Sequence, residues 1–234
     1  IYAGYLAAKC GAKGVILHDA GVGKDDAGIA SLDYLDRLGI AGATVAHHSA
    51  RIGSGRSMAA DGIISRTNRA ATSLGCRPGQ SAMDCARAMQ AGMAPTGDAP
   101  VYEEARFVLR EAPDEPRVMG CDSVSLVKPE DEGQIVVTAS HGEVLEADPH
   151  WGKRPDVAAA LFHDAGIDVA RHVASRLPNL DARGIPAAVA AAASARIGDA
   201  RSIWETGIVS QVNETATARG GEAGRGFAVV ASEV

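Results

Sequence analysis

The sequence predicts an α/β fold built from two tandem repeats, and three observations predict it. First, residues 18–68 and 163–213 are one segment written twice. His18-Asp19-Ala20-Gly21 recurs as His163-Asp164-Ala165-Gly166, and Ser49-Ala50-Arg51-Ile52-Gly53 as Ser194-Ala195-Arg196-Ile197-Gly198. Every matched pair lies 145 positions apart without a gap, and 22 of 51 positions are identical. Shared Ala and Gly richness would not keep rare residues in register, so the pattern reads as a duplication. Second, short apolar β-branched runs alternate with Leu/Ala segments of helical spacing. Third, the strand-like runs end in turns of small and polar residues.

Taken in order, Tyr2–Cys10 is Ala-rich with helical spacing and stops at Gly11. Gly14–Leu17 and its counterpart Val157–Phe162 read as buried strands ending at His-Asp-Ala-Gly. Leu32, Leu35 and Leu38 predict a short helix before Gly39, matched by Leu177 and Leu180 before Gly184. Ala43–Ala46 and Ala187–Ala190 read as third strands, each followed by Ser-Ala-Arg-Ile-Gly. A last helix is expected over Ile63–Leu74 and over Ile208–Ala218, with Asn68 and Asn213 as caps. The second copy is preceded by Gln134-Ile-Val-Val-Thr-Ala-Ser-His141-Gly142, a strand running into a small-residue turn. No such strand precedes the first copy, so the first repeat is expected to begin without its opening strand.

The resulting order, βαβαβα twice, is Rossmann-like. It implies a mainly parallel sheet, right-handed crossovers and helices on both faces. The expected division is repeat one over 1–91, a linker over 92–133, and repeat two over 134–234. Within the linker, Val101–Arg110 and Arg117–Val127 alternate enough for a strand pair joining the halves.

A chain of 234 residues buries roughly 70% of its unfolded surface, so it needs no metal or disulfide staple. A net charge of −6 and scattered Lys and Arg argue against a nucleic-acid partner. No run approaches the roughly 20 apolar residues of a membrane span, so no membrane partner is expected. Cys10, Cys76, Cys85 and Cys121 have no metal-ligand spacing, which reads as free thiols in a reducing cytoplasm.

In open parallel sheets, ligands sit beyond the carboxyl ends of the strands. The turns Ser140-His141-Gly142, His-Asp-Ala-Gly and Ser-Ala-Arg-Ile-Gly all fall there. Arg51 and Arg196 offer a fork suited to carboxylate or phosphate. His18, His163 and His141, with Asp19 and Asp164, suit general acid–base work. Ser49, Ser194, Ser140 and Gly142 would line the pocket. The same turns also read as scaffold, because both copies must fold and each Arg has an Asp partner nearby.

The differences between the copies are the sharper signal. Repeat one has Gly23-Lys24-Asp25-Asp26-Ala27-Gly28 and the pair His47-His48, where repeat two has Asp168–Val173 and Ala192-Ala193. A scaffold has no need of these extra ionisable groups, so one copy is expected to hold the working site. No recognised spacing supports a divalent metal on His18, Asp25 or Asp26 and one of the two histidines. No phosphate loop or dinucleotide fingerprint is met, so no cofactor is evident. The leading expectation is a cytoplasmic enzyme for a small anionic metabolite, carboxylate or phosphate, at a cleft between the two repeats, with hydrolase, lyase and isomerase chemistries all open and a homo-oligomer possible. A non-catalytic ligand-binding or signalling module, and a structural interaction protein, are the alternatives.

The final seventeen residues stand apart. The run Glu222-Ala-Gly-Arg-Gly-Phe-Ala-Val-Val-Ala231 resembles the hairpin tip of bacterial methyl-accepting chemotaxis receptors. In that family the segment belongs to a long antiparallel coiled coil that contacts the histidine kinase and coupling protein, which is what the resemblance implies for partners. The residues before it lack the heptads such a coil needs, and the rest of the chain does not resemble a receptor.

Overall fold

The computed structural model describes residues 1–95, 98–145, 154–167 and 173–219. The chemoreceptor-like run and the Asp168–His172 segment lie outside these described residues. The chain divides into two units: Ile1–Val22 with Asp26–Glu103, and Gly23–Asp25 with Glu104–Val234.

The first unit runs α1 (Tyr2–Lys9), β1 (Gly14–His18), α2 (Ser31–Arg37), β2 (Ala41–Val45), α3 (Gly55–Asp61), β3 (Ile64–Thr67), α4 (Arg69–Ser73) and α5 (Ala82–Met89). Its sheet has the order β1-β2-β3, with β1 and β2 parallel and β3 antiparallel to β2. Alternation along the strands sends side chains to both faces. Val15 packs with Ala8, Leu35 and Ile40 of the α1–α2 layer. Ile16, Ala43 and Val45 pack with Ala71, Cys76, Cys85 and Met89 from the opposite layer. Both faces of this small sheet are therefore covered.

The second unit runs β4 (Arg106–Arg110), β5 (Val118–Cys121), β6 (Ile135–His141), β7 (Ala159–His163), α6 (Arg176–Asp181), β8 (Ala187–Ala190), α7 (Ala200–Thr206), β9 (Val209–Val212) and α8 (Glu214–Ala218). Its sheet follows chain order, β4 to β9. Pairing is parallel from β5 to β8 and antiparallel at the two edges. Phe162 and Val189 face Leu177 and Leu180 of α6, while Leu161 and Ala188 face Ile203 of α7. The fold is thus mixed α/β with mostly parallel sheets.

Local chemistry explains where elements stop. Gly39 and Gly184 take φ of 69° and 65°, a left-handed conformation glycine adopts without Cβ strain. There Ile40 N donates to Leu35 O and Ile185 N to Leu180 O, each at 3.0 Å. Gly39 N donates to Asp36 O at 3.1 Å and Gly184 N to Asp181 O at 2.9 Å, completing the same helix-ending motif. Leu35 and Leu180 are fully buried, worth about 1.5–3 kcal/mol apiece relative to exposure.

One sequence expectation changes and another is extended. The segments read as single last helices are each a strand and then a short helix, β3 then α4 and β9 then α8. The β-branched Ile63–Thr67 run satisfies a sheet edge, and Asn68 starts the helix only afterwards. The strand pair expected at Val101–Arg110 and Arg117–Val127 forms as β4 and β5, antiparallel, and β5 continues into the second sheet by pairing with β6. Cys76 and Cys85 are buried in the first unit and Cys121 in the second, while Cys10 is exposed. Burial pushes the Cys85 thiol up to about 12 and Cys121 to about 11.

Candidate functional site

The residues singled out from sequence gather at the carboxyl ends of parallel strands, separately in each unit. In the first unit, β1 ends at His18 and β2 at Val45, which face each other in register. Asp19, His47, Ser49 and Arg51 follow directly. In the second unit, β6 ends at His141 beside His163 of β7, followed by Gly142, Asp164, Ser194 and Arg196.

The corner histidines are held by the backbone at both ring nitrogens. Ala20 N donates to His18 Nδ1 at 3.1 Å, so the ring proton lies on Nε2, which meets Ala50 O at 3.0 Å. His163 repeats this, with Ala165 N on Nδ1 and Ala195 O on Nε2, both at 2.9 Å. Burial pushes both imidazoles below their ordinary value. Each ring therefore sits as a neutral crosslink between the first and second turns of its corner.

The two serines make a second matched pair of ties. Ser49 Oγ donates to Ala46 O and accepts from Ile63 N. Ser194 Oγ donates to Ala191 O and accepts from Ile208 N. Asn68 and Asn213 form a third. Asn68 Oδ1 accepts from Gly42 N and Ala71 N, and its Nδ2 donates to Ile40 O. Asn213 does the same with Ala187 N, Ala216 N and Ile185 O. These amides cap α4 and α8, as expected, and also fasten α4 to the start of β2 and α8 to the start of β8.

The remaining residues of the second unit are spoken for as well. Asp164 accepts from Ala192 N on Oδ1 and from the Ser210 hydroxyl on Oδ2. Arg196 spends its guanidinium on Asp199, with Nε at 3.0 Å and Nη2 at 2.7 Å, and on Asp25 at 2.9 Å. Lys24 contacts Ser194 O and Thr206 Oγ1 in the same unit. Ser140 Oγ accepts from Val124 N. Gly142 donates to His163 O and accepts from Arg176 N, and a Cβ there would stand 2.7 Å from Val189 Cγ1. It packs the corner rather than opening it.

The first unit differs at three places. Asp19 is only 3% exposed. Its Oδ1 accepts from Gly21 N at 2.9 Å, His47 N at 3.0 Å and His47 Nδ1 at 3.2 Å. Its Oδ2 has no hydrogen-bond partner among the described residues. The carboxylate thus places the His47 proton on Nδ1 and leaves Nε2 as a lone pair, unpartnered among the described residues, on a side chain 38% exposed. Where His47 stands, the second unit has Ala192. Arg51 is exposed, and its guanidinium makes no ion pair among the described residues, unlike that of Arg196.

The third difference is the stretch Ala20–Val22, which leads into the Gly23–Asp25 segment of the second unit. Ala20, Gly21, Val22 and Gly23 take consecutive φ values of 52°, 72°, 63° and 69°, and Asp25 and Asp26 take 53° and 55°. For a β-branched residue such as Val22 this region is strained. Gly28 N closes the loop on Val22 O at 2.8 Å, and a Cβ at Gly28 would overlap Asp19 O. The second unit has Val173 at the matching position.

The His47–Asp19 pairing was not legible beforehand, because it joins residues 28 apart. The signal available was the presence of two alanines, Ala192-Ala193, at the positions of the second unit that match His47-His48. Among the described residues, no three His, Cys, Asp or Glu side chains cluster to hold a metal ion, and no helix is long and apolar enough to cross a membrane. No protein-family model, curated protein or solved structure matches this chain.

Proposed function

We propose that the first unit is an enzyme's proton-transfer site for a small anionic metabolite, a carboxylate or a phosphate, at the carboxyl ends of β1 and β2. The observation that carries this reading is His47, whose Nδ1 is held by a buried, backbone-anchored carboxylate while Nε2 is left with its lone pair. That is the arrangement in which an imidazole acts as a general base, its tautomer and orientation set by the acid behind it. Asp19 is the orienting group, and Arg51 supplies a cation with an open hydrogen-bonding fork for the anion. The strained loop over Asp19 supports the reading, since unfavourable backbone conformations persist where a site requires them.

The two halves are copies of one Rossmann-like unit under this reading. The shared identities 145 residues apart and the three matched sets of hydrogen bonds support a common origin. The second copy then serves as frame: His163 is crosslinked at both nitrogens and Arg196 is neutralised by two carboxylates. His18 keeps that same frame role in the first unit, and His47 takes the proton.

Hydrolases, lyases and isomerases share the proton transfer, so the test spans them. The wild-type protein and His47→Ala are assayed on p-nitrophenyl phosphate, on p-nitrophenyl acetate, and for deuterium uptake by small 2-oxo acids in heavy water. The expected result is turnover of at least one probe that falls by about 10²–10⁴-fold in the variant, the usual contribution of a general base. Equal rates in the two proteins on every probe overturn the reading.

A further inference from the structure

The outer edge of β1 carries a binding surface of a different kind. Asp19 N donates to Val45 O at 3.0 Å. Because backbone groups alternate sides along a strand, Val15, Leu17 and Asp19 face β2, and Gly14, Ile16 and His18 turn their N–H and C=O groups to the other side. Among the described residues, β1 ends its sheet there. In the second unit the matching strand, β7, does not. Ala160 N and Asp164 N donate toward β8, while His163 O accepts from Gly142 N and the opposite edge is filled by β6. The burial follows: all five residues of β7 are buried, and all five of β1 are only half-buried.

We propose that the open edge of β1 receives a parallel β-strand of the kind that β6 presents to β7: an extended apolar, β-branched segment preceded by acidic residues. Pairing of this type draws its affinity from main-chain hydrogen bonds. Gly14–His18 lacks the charges, proline or bulge by which sheet edges ordinarily repel another strand. Its two faces are already covered by α1 and α5, so the remaining open side is the hydrogen-bonding one. Charge supplies the direction. Lys13 stands exposed where β1 begins and makes no ion pair among the described residues. A strand parallel to β1 would bring its amino-terminal flank to that lysine, and β6 is preceded there by Asp131 and Glu132.

The probe is a synthetic peptide copying residues 131–143, mixed with the whole protein and followed by amide hydrogen exchange. Gly14, Ile16 and His18 amides should slow by about tenfold or more at saturation, with Val15 and Leu17 unchanged. Ile135 N donates to Arg117 O, on the β5 side, so Gln134, Val136 and Thr138 are the residues that face β7. A peptide N-methylated at Val136 and Thr138 should lose the effect, and one N-methylated at Ile135 and Val137 should retain it. No protection, or equal effects from the two methylated peptides, overturns the proposal. So does protection that rises with protein concentration alone, because the occupant would then be a second copy of this chain.

Discussion

The two His-Asp corners of this protein are built by the same hydrogen bonds and left in different states. In the second unit three features are answered from within: Ser210 closes Asp164, Asp199 and Asp25 close Arg196, and β6 closes β7. In the first unit the counterparts stay open. Asp19 turns to a histidine that the other corner lacks, Arg51 meets solvent, and among the described residues β1 ends its sheet. The residues common to both corners, His18/His163, Ser49/Ser194 and Asn68/Asn213, carry the frame. What the corners do not share is where chemistry has room. Comparing the two corners within one chain therefore separates the shared hydrogen-bonded frame from the differences on which the proposed site rests.

The sharpest way to break this comparison is to remove its strongest matched tie. Asn68→Ala and Asn213→Ala each strip partners from three backbone groups around buried side chains, at 7% and 3% exposure. Each should cost about 2–4 kcal/mol, read from urea unfolding. The two losses should agree within about 1 kcal/mol, the context spread expected of one mechanism. A near-neutral result at either site would mean that the matched bonds do not carry equal weight.

A smaller effect distinguishes the corners by pH. Burial holds the His163 and His18 imidazoles below their ordinary value of 6.5, so below that pH the unfolded chain takes up protons that the folded chain resists. Stability should fall as pH drops from about 6.5 toward the folded-state values, by up to about 1.4 kcal/mol per pH unit for each histidine. Asp36, held below its usual 3.8 by the hydrogen bond from Arg69, loses its contribution only in a lower window. Urea midpoints measured from about pH 7 to about pH 5 should flatten more in His163→Gln than in His18→Gln, since His163 is only 1% exposed. An unchanged slope in both variants would show that neither ring stays neutral in the fold.

The smallest expected effect concerns the arginines. Arg196→Ala removes exposed ion pairs and should cost less than about 1 kcal/mol. Arg51→Ala should change stability by less than about 0.5 kcal/mol. In a thermal-shift titration with inorganic phosphate, Arg51→Ala should nevertheless lose the response that Arg196→Ala keeps. The reverse pattern would move the anion site to the second unit.

Much of this architecture was legible in the residues. The β-branched runs, the Leu-x-x-Leu spacing and the glycines at 39 and 184 mark strands, helices and stops by local physics alone. The Ile63–Thr67 strand was hidden because its short apolar run joins the helix begun by Asn68 without a glycine or proline between them. α3 and α7 had a readable start: Ser54 and Asp199 accept from Ser57 N and Ser202 N, three residues on. For the candidate site, the sequence displayed the difference at His47-His48 but not its partner. Whether a histidine is a crosslink or a base depends on which groups meet its two nitrogens, and Ala50 O and Ala195 O reach His18 and His163 from 32 residues away.

The cysteines give each unit its own internal clock. Cys76 and Cys85 lie in the core of one and Cys121 in the core of the other, and burial keeps the Cys85 and Cys121 thiols protonated. An alkylating reagent that has already consumed Cys10 reaches the remaining sulfurs only through opening of the unit that encloses them. Timed labelling read by mass would thus report the opening rate of each unit separately within a single unmodified chain, and tell whether the half with the open corner loosens first.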